Sequence, residues 1–173
     1  MQSVRIEHPF PPFYDTESRI LILGSFPSVK SREMNFFYGH PQNRFWKVMA
    51  AICSEETPMT VPERSAFLAR NHIALFDVIR SCEITGSSDS SIRNAVVNDL
   101  SQILSETKIA NNIFVNGGKA RDLYRRYTEA QTGIPCRYLP STSPANAAWS
   151  LERLTAAWSE AVAEPLGVGI TEE

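Results

Sequence analysis

Arg19 to Leu23 reads RILIL and stops at Gly24, an apolar run without polar alternation. A run that short, ended by a glycine, suggests a strand buried on both faces, as in parallel sheets covered by helices. Similar runs recur at Ile73–Phe76, Ile113–Val115 and, more weakly, Tyr138–Leu139. Segments with helical spacing lie between them. Phe45, Val48, Met49 and Ile52 form one apolar stripe, and Pro62 opens a helix that turns Phe67 and Leu68 inward. Leu100, Ile103 and Leu104 make a third stripe, Ala120, Leu123, Tyr124 and Tyr127 a fourth, and Leu151, Leu154, Trp158 and Val162 a fifth. Strands alternating with helices predict an α/β fold, a three-layer α/β/α sandwich around a mainly parallel sheet of about four strands.

A chain of 173 residues is expected to form one domain, 1–173, with 164–173 as a C-terminal tail. No apolar run approaches the roughly 20 residues of a membrane span. The start, MQSVRIEHPFPPFYD, lacks the parts of a signal peptide, so no membrane partner and a cytoplasmic location are expected. With 17 Lys+Arg against 19 Asp+Glu there is no global basic field, and any site for a polyanion must be a local patch. Cys53, Cys82 and Cys136 are odd in number and far apart; they match no zinc or iron–sulfur spacing and read as free thiols in a reducing compartment.

Ligands of open α/β sheets collect beyond the carboxyl ends of the strands. That rule selects four places. Gly24-Ser25-Phe26-Pro27-Ser28 leaves the first apolar run, with Gly24 permitting a sharp turn and Pro27 stiffening it; it fits neither a Walker A loop nor a dinucleotide fingerprint. Asp77 ends a second apolar run, where a carboxylate is costly to bury unless paired. Asn116-Gly117-Gly118-Lys119 sets glycines before a helix, an arrangement suited to anions, although a solvated face explains the following Arg121, Arg125 and Arg126 equally well. Ser141-Thr142-Ser143-Pro144-Ala145-Asn146 is a rigid, hydroxyl-rich loop suited to phosphate or a duplex groove, and equally to a connection into a helix near Ser150. A fifth segment, Phe36 to Trp46, packs aromatics around a Gly-His-Pro turn. Its Tyr38 is placed to line a pocket, Asn43 is as good a helix N-cap as a catalyst, and the role of His40 stays open. The run from Gly86 to Ser91 reads as a flexible loop without an assigned task.

Taken together these segments resemble the uracil-DNA glycosylase superfamily over nearly the whole chain, from about Arg19 to Val162. GSFPS stands where that superfamily has its first catalytic motif. FYGHPQNRFWKVM is similar to the F-x-x-P-x-N-R-F-W-K-V stretch of mismatch-specific uracil glycosylases, and LPSTSPAN followed by SLERL to their DNA-insertion loop and next helix. The order GS-F-P, YGHP-x-N-x-FW, LPSTSPAN most closely resembles the hypoxanthine (deoxyinosine) branch. One departure matters: Phe26 occupies the place of the first-motif Asn or Asp, which speaks against ordinary uracil excision.

The resemblance implies a monofunctional glycosylase that hydrolyses the bond to a flipped deaminated base, without metal or cofactor, acting as a monomer on double-stranded DNA, with single-stranded DNA as a second form. Asn43 maps to the catalytic Asn and Tyr38 to the aromatic that stacks on the base; Ser25, Phe26, Pro27, Ser28 and Asp77 would line the base. Gly118, Lys119 and the loop Ser141, Thr142, Ser143, Pro144, Ala145, Asn146 would meet DNA. Alternatives are a uracil or mismatch-specific enzyme of the same superfamily, a binding module that has lost catalysis, and a small hydrolase using Ser25 or Ser141 with His40.

Overall fold

A computed structural model describes residues 2–168. Its strands are β1 (Val4–Glu7), β2 (Ile20–Gly24), β3 (Ile73–Asp77), β4 (Ile79–Ile84), β5 (Arg93–Val97), β6 (Ile113–Asn116) and β7 (Arg137–Leu139). The helices are α1 (Val29–Met34), α2 (Phe45–Ile52), α3 (Val61–Arg70), α4 (Ser101–Glu106), α5 (Gly118–Leu123), α6 (Glu129–Thr132) and α7 (Leu151–Leu166). The four apolar runs become one parallel sheet in the order β3-β2-β6-β7. Every residue of β2 and β3 is buried, because helices cover both faces of the sheet. On one side α7 lies over β2 and β7, and α2 packs on α7, where the Phe45 and Trp158 rings meet edge to face at 5.8 Å. α3 covers β3 and α5 covers β6.

The strand order positions the site. The chain steps from β2 to β3 on one side and then returns to place β6 on the other side of β2. The reversal leaves a crevice outside the carboxyl ends of β2 and β6, where ligands of such sheets bind.

A second sheet, antiparallel and ordered β1-β4-β5, was not legible in the sequence. Its outer strands are largely solvated, with charged Arg5, Glu7 and Arg93, so no apolar run marks them. β4 follows β3 after Val78 alone, which ties the mouth of the parallel sheet to the second sheet. The short helix α1 was also unforeseen; Ser28 caps it, its hydroxyl accepting from the Ser31 N–H. The fourth apolar stripe is one continuous helical stretch, α5 and α6 joined by a π-helical turn at Tyr124–Thr128. α7 is capped by Ser150 and runs to Leu166 through Pro165, so Glu164–Leu166 of the expected tail are helical. Gly167 and Val168 follow, and 169–173 lie outside the described residues. Among the described residues no helix is long and apolar enough to cross a membrane.

Candidate active site

The ends of β2, β3 and β6, with the loop after β7, enclose a cleft of about 380 Å³, within the range of ordinary ligand sites. Ser25, Phe26, Pro27, Ser28, Tyr38, Asn43 and Asp77, all singled out from the sequence, line it together. Ser141, Thr142, Ser143 and Ala145 form part of its wall. Gly118 and Asn146 line a shallower depression beside it, with Tyr138 and Trp149. Lys119 is half-buried at the start of α5, and Pro144 is exposed at the loop tip.

The floor is a buried Asp77–His8 contact that has no mark in the sequence. Asp77 Oδ2 lies 2.7 Å from His8 Nε2, and the two side chains are only 7% and 4% exposed. The Phe10 N–H approaches His8 Nδ1 at 3.4 Å, which favours the tautomer that donates from Nε2 to the carboxylate. Phe10, Phe26, Phe37 and Phe76 surround the imidazole at ring distances of 4.6, 5.9, 6.5 and 5.1 Å. Asp77 Oδ1 lies directly over Gly24: a Cβ there would sit 2.5 Å from it. Gly24 is therefore required by close approach and not by a turn. The Asn98 amide donates to the Asp77 carbonyl at 2.9 Å and fixes the end of β3. His8 reaches this place because β1 pairs with β4 and the His8 N–H continues to Arg80 O at 2.7 Å.

Tyr38 adopts a left-handed backbone (φ 52) and stacks on Phe45, ring centroids 4.1 Å apart. One face of its ring is thus already covered. Its hydroxyl is buried and makes no hydrogen bond of normal geometry among the described residues, although the Asn116 side chain lies near enough to pull weakly on it. Burial, with the Asp77 charge nearby, pushes that phenol well above its ordinary range, so it stays a neutral donor. A buried, unpaired donor beside a buried acceptor fits the polar edge of a bound ring.

Asn43 is not the N-cap of α2, which is Arg44; its side chain closes an Asx turn just before the helix. Its Oδ1 accepts from the Phe45 N–H at 3.0 Å at the start of α2. That bond identifies the oxygen, so the amide nitrogen is the other end of this cleft-lining side chain. His40 does not line the cleft; its Nδ1 accepts from the Gln42 N–H at 3.1 Å and closes the turn. Ser25 donates to Asp89 Oδ1 at 2.7 Å, which brings the Gly86–Ser91 run into the cleft wall. That run holds a short 3-10 turn at Asp89–Ser91, and its serine-rich composition carried no signal of this role.

The loop after β7 is clamped from below. Asn116 and Thr142 exchange two hydrogen bonds, Nδ2 to Oγ1 at 3.0 Å and the Thr142 N–H to Oδ1 at 3.1 Å. Thr142 is 0% exposed, so the expectation that its side chain meets DNA is corrected: burial and the Asn116 bonds make it an anchor. Arg44 lies under the same loop and donates to the Ser143 and Asn146 carbonyls at 3.0 and 3.1 Å, and to that of Trp149. The Gly117 backbone (φ 97) lets the turn before α5 come close; a Cβ there would meet the Ser141 Cβ at 3.2 Å. Around the depression, Arg121 lies over Tyr138 at 4.9 Å and Arg153 over Trp149 at 3.9 Å. These stacked guanidinium groups stand at the rim of the depression, Arg121 also bonded to Asp122 Oδ1 at 3.0 Å.

Among the described residues no group of three or more His, Cys, Asp or Glu is arranged to hold a metal ion. Cys53, Cys82 and Cys136 are free, and burial pushes the Cys53 thiol up to about 11. The cleft thus offers a carboxylate floor, an unpaired phenol, an amide and a second carboxylate at the mouth, a set suited to a polar heterocycle and to hydrolytic chemistry.

The chain is similar to several known proteins. The profile of the uracil DNA glycosylase superfamily matches residues 11–164. A protein of Methanosarcina barkeri named hypoxanthine DNA glycosylase is 33% identical over 153 residues, covering 88% of this chain and 95% of its own. One of the same name from Methanosarcina acetivorans is 34% identical over 149 residues, covering 86% and 93%. The solution NMR structure of a Methanosarcina acetivorans protein, assigned provisionally to the uracil DNA glycosylases, superposes with a TM-score of 0.78 at 31% identity, covering 94% of this chain and 99% of that one. The chain belongs to the uracil DNA glycosylase superfamily.

Proposed function

We propose that this chain is a monofunctional DNA glycosylase that takes a deaminated base, hypoxanthine above all, out of duplex DNA and hydrolyses its N-glycosidic bond to leave an abasic site. The observation that carries the reading is the cleft floor, where Asp77 is held by His8 against Gly24 beside the unpaired Tyr38 hydroxyl. Hypoxanthine presents a ring N1–H where adenine presents a lone pair, and a carbonyl where adenine presents an amine. A carboxylate at the floor accepts from the first and repels the second, while the Tyr38 hydroxyl donates to the carbonyl. Leaving such a buried acceptor unpaired costs about 1–3 kcal/mol or more, enough to set base preference.

Extrusion costs a few kcal/mol and is cheapest at a weakened pair. As the C1′–N9 bond breaks, its electron pair moves onto the base, and the Tyr38 hydroxyl, donating to the 6-oxygen, stabilises that charge. The Asn43 amide orients the attacking water. Among the described residues no lysine lines the cleft, which supports water and not an imine as the group that captures the sugar. Arg121, Arg153 and Lys119 meet phosphates around the mouth, while Pro144 and Ala145 at the exposed loop tip enter the duplex from the Arg44 and Thr142 clamp. Duplex DNA is the main substrate, single-stranded DNA a lesser one, and one protein molecule acts alone.

The test uses end-labelled duplexes carrying one deoxyinosine, one uracil or no lesion, followed by hot alkali. Alkali-dependent cutting at deoxyinosine is the expected result. Cutting at uracil alone would refute the hypoxanthine preference and the weight given to Phe26; no cutting with binding retained would leave a non-catalytic binding module.

A further inference from the structure

Hydrolysis of a glycosidic bond asks for two things that the cleft floor does not supply. The sugar becomes cationic at C1′ and needs a nearby negative charge, and the attacking water must give up a proton. Asn43 cannot take that proton at neutral pH, and its oxygen is engaged by the Phe45 N–H. Phe26 offers no acceptor. Asp77 is buried on His8 at the base-reading end. Of the side chains lining the cleft among the described residues, only Tyr38, Asp77 and Asp89 are ionisable, and Tyr38 stays protonated.

We infer that Asp89 is the carboxylate of the hydrolytic step, stabilising the cationic sugar and accepting the water proton, with the Ser25 hydroxyl holding it in place. The inference rests on the glycosylase reading above. Asp89 lines both the deep cleft and the depression beside it, at the boundary that the sugar of an extruded nucleotide occupies when its base is inside and its phosphates are outside. The Ser25 Oγ–H donates to its Oδ1 at 2.7 Å, which leaves Oδ2 for water. The step balances: the C1′–N9 electron pair leaves with the base, the water oxygen bonds C1′, and the water proton passes to Asp89 and then to solvent or the departing base.

Electrostatics support the assignment. An acidic group at the mouth of a site for a polyanion opposes binding of the ground state. Its favourable interaction arises only when the sugar turns cationic, which is the condition for lowering a barrier. The groups facing Asp89 are Ser25 from the turn after β2, Asp77 from the end of β3 and Lys119 from α5. Asp89 is exposed as a residue, yet desolvation of its carboxyl against the cleft wall, with a smaller push from Asp77, raises it above its ordinary range against the opposing pull of Ser25 and Lys119. A carboxylate so raised is a better proton acceptor. The same shift has a sign for stability: the folded form favours the protonated group, so the contribution is present at acid pH and lost as pH rises through the raised value. Asp89 is exposed at the cleft mouth and Asn keeps an Oδ1 for the Ser25 hydroxyl, so Asp89→Asn leaves folding unharmed at neutral pH.

Single-turnover excision from a deoxyinosine duplex, duplex affinity and thermal unfolding are measured for the wild type, Asp89→Asn and Ser25→Ala. The expected result is a rate about 100-fold or more lower for Asp89→Asn, with affinity equal or tighter and melting temperature equal or higher at neutral pH. Ser25→Ala falls between the two. The wild-type rate declines on the acid side, and Asp89→Asn loses that limb. A rate for Asp89→Asn within about 3-fold of wild type, or a loss explained by weaker binding or a lower melting temperature, overturns the assignment. A wild-type protein that releases no base overturns the glycosylase reading itself and this assignment with it.

Discussion

Gly24→Ala tests the cleft floor with one methyl group. Gly24 ends β2 and is not among the positive-φ residues, so alanine fits its backbone. Taken alone, the change would stabilise by about 0.4–1 kcal/mol through the unfolded chain. The new Cβ, however, would sit 2.5 Å from Asp77 Oδ1 and 3.5 Å from the Tyr38 hydroxyl. Even weak C–H···O contacts keep carbon and oxygen about 3.3–3.6 Å apart. Asp77 cannot step aside freely, because its other oxygen is bound to His8 at 2.7 Å and the Val78 N–H ties the strand ends at Gly24 O, 2.8 Å. Relief means either parting the strands, at about 1–3 kcal/mol, or losing a charge-assisted bond worth about 1.5–3 kcal/mol. The net is a loss of about 1–2 kcal/mol, a fall in melting temperature of about 2–8 °C in a chain of this size, and excision slowed about 100-fold. Thermal unfolding and single-turnover excision read these directly. In an Asp77→Ala background the collision is absent, and alanine at 24 becomes stabilising relative to that background. Equal destabilisation in both backgrounds, or no effect in either, would refute the close-approach reasoning.

Changes at three other residues separate holding from chemistry. Asn43→Ser keeps an oxygen for the Phe45 N–H and so loses little stability, while excision falls about 100-fold; Asn43→Ala loses about 1 kcal/mol as well. Full activity in Asn43→Ser would remove Asn43 from the chemistry. His8→Leu strands a buried carboxylate and destabilises by about 3–5 kcal/mol in thermal unfolding, with partial recovery in His8→Gln; an unchanged melting temperature would mean that His8 does not hold Asp77. Arg44→Met frees the Ser143, Asn146 and Trp149 carbonyls, so amide hydrogen exchange in 143–149 rises and duplex affinity falls while exchange in the central strands stays put; uniform exchange throughout would refute the clamp.

The parallel sheet was legible because its strands are buried on both faces and therefore written as unbroken apolar runs, RILIL above all. The second sheet was not, since β1 and β5 are mostly solvated and read like loops. What the sequence hid at the site follows from that. His8 meets Asp77 only through the pairing of β1 with β4, a contact 69 residues apart with no local signature. Asp89 lay in a serine-rich stretch, and only the Ser25 bond gives it a place. Asn43 could be a cap or a catalyst on sequence alone; in the fold Arg44 is the N-cap, while Asn43 closes an Asx turn onto the Phe45 N–H and lines the cleft. Thr142 looked like one more exposed hydroxyl, yet the Asn116 bonds bury it completely.

The most direct measurement is single-turnover base release from two matched duplexes, one carrying deoxyinosine and one deoxynebularine. The second purine is no larger but lacks both the N1 proton and the 6-oxygen. With Asp77 and Tyr38 reading those two groups, hypoxanthine is released and an abasic site is left, while deoxynebularine reacts about 100-fold more slowly or worse. Equal release from both duplexes would contradict the reading of the cleft floor, and release from neither would contradict the enzyme.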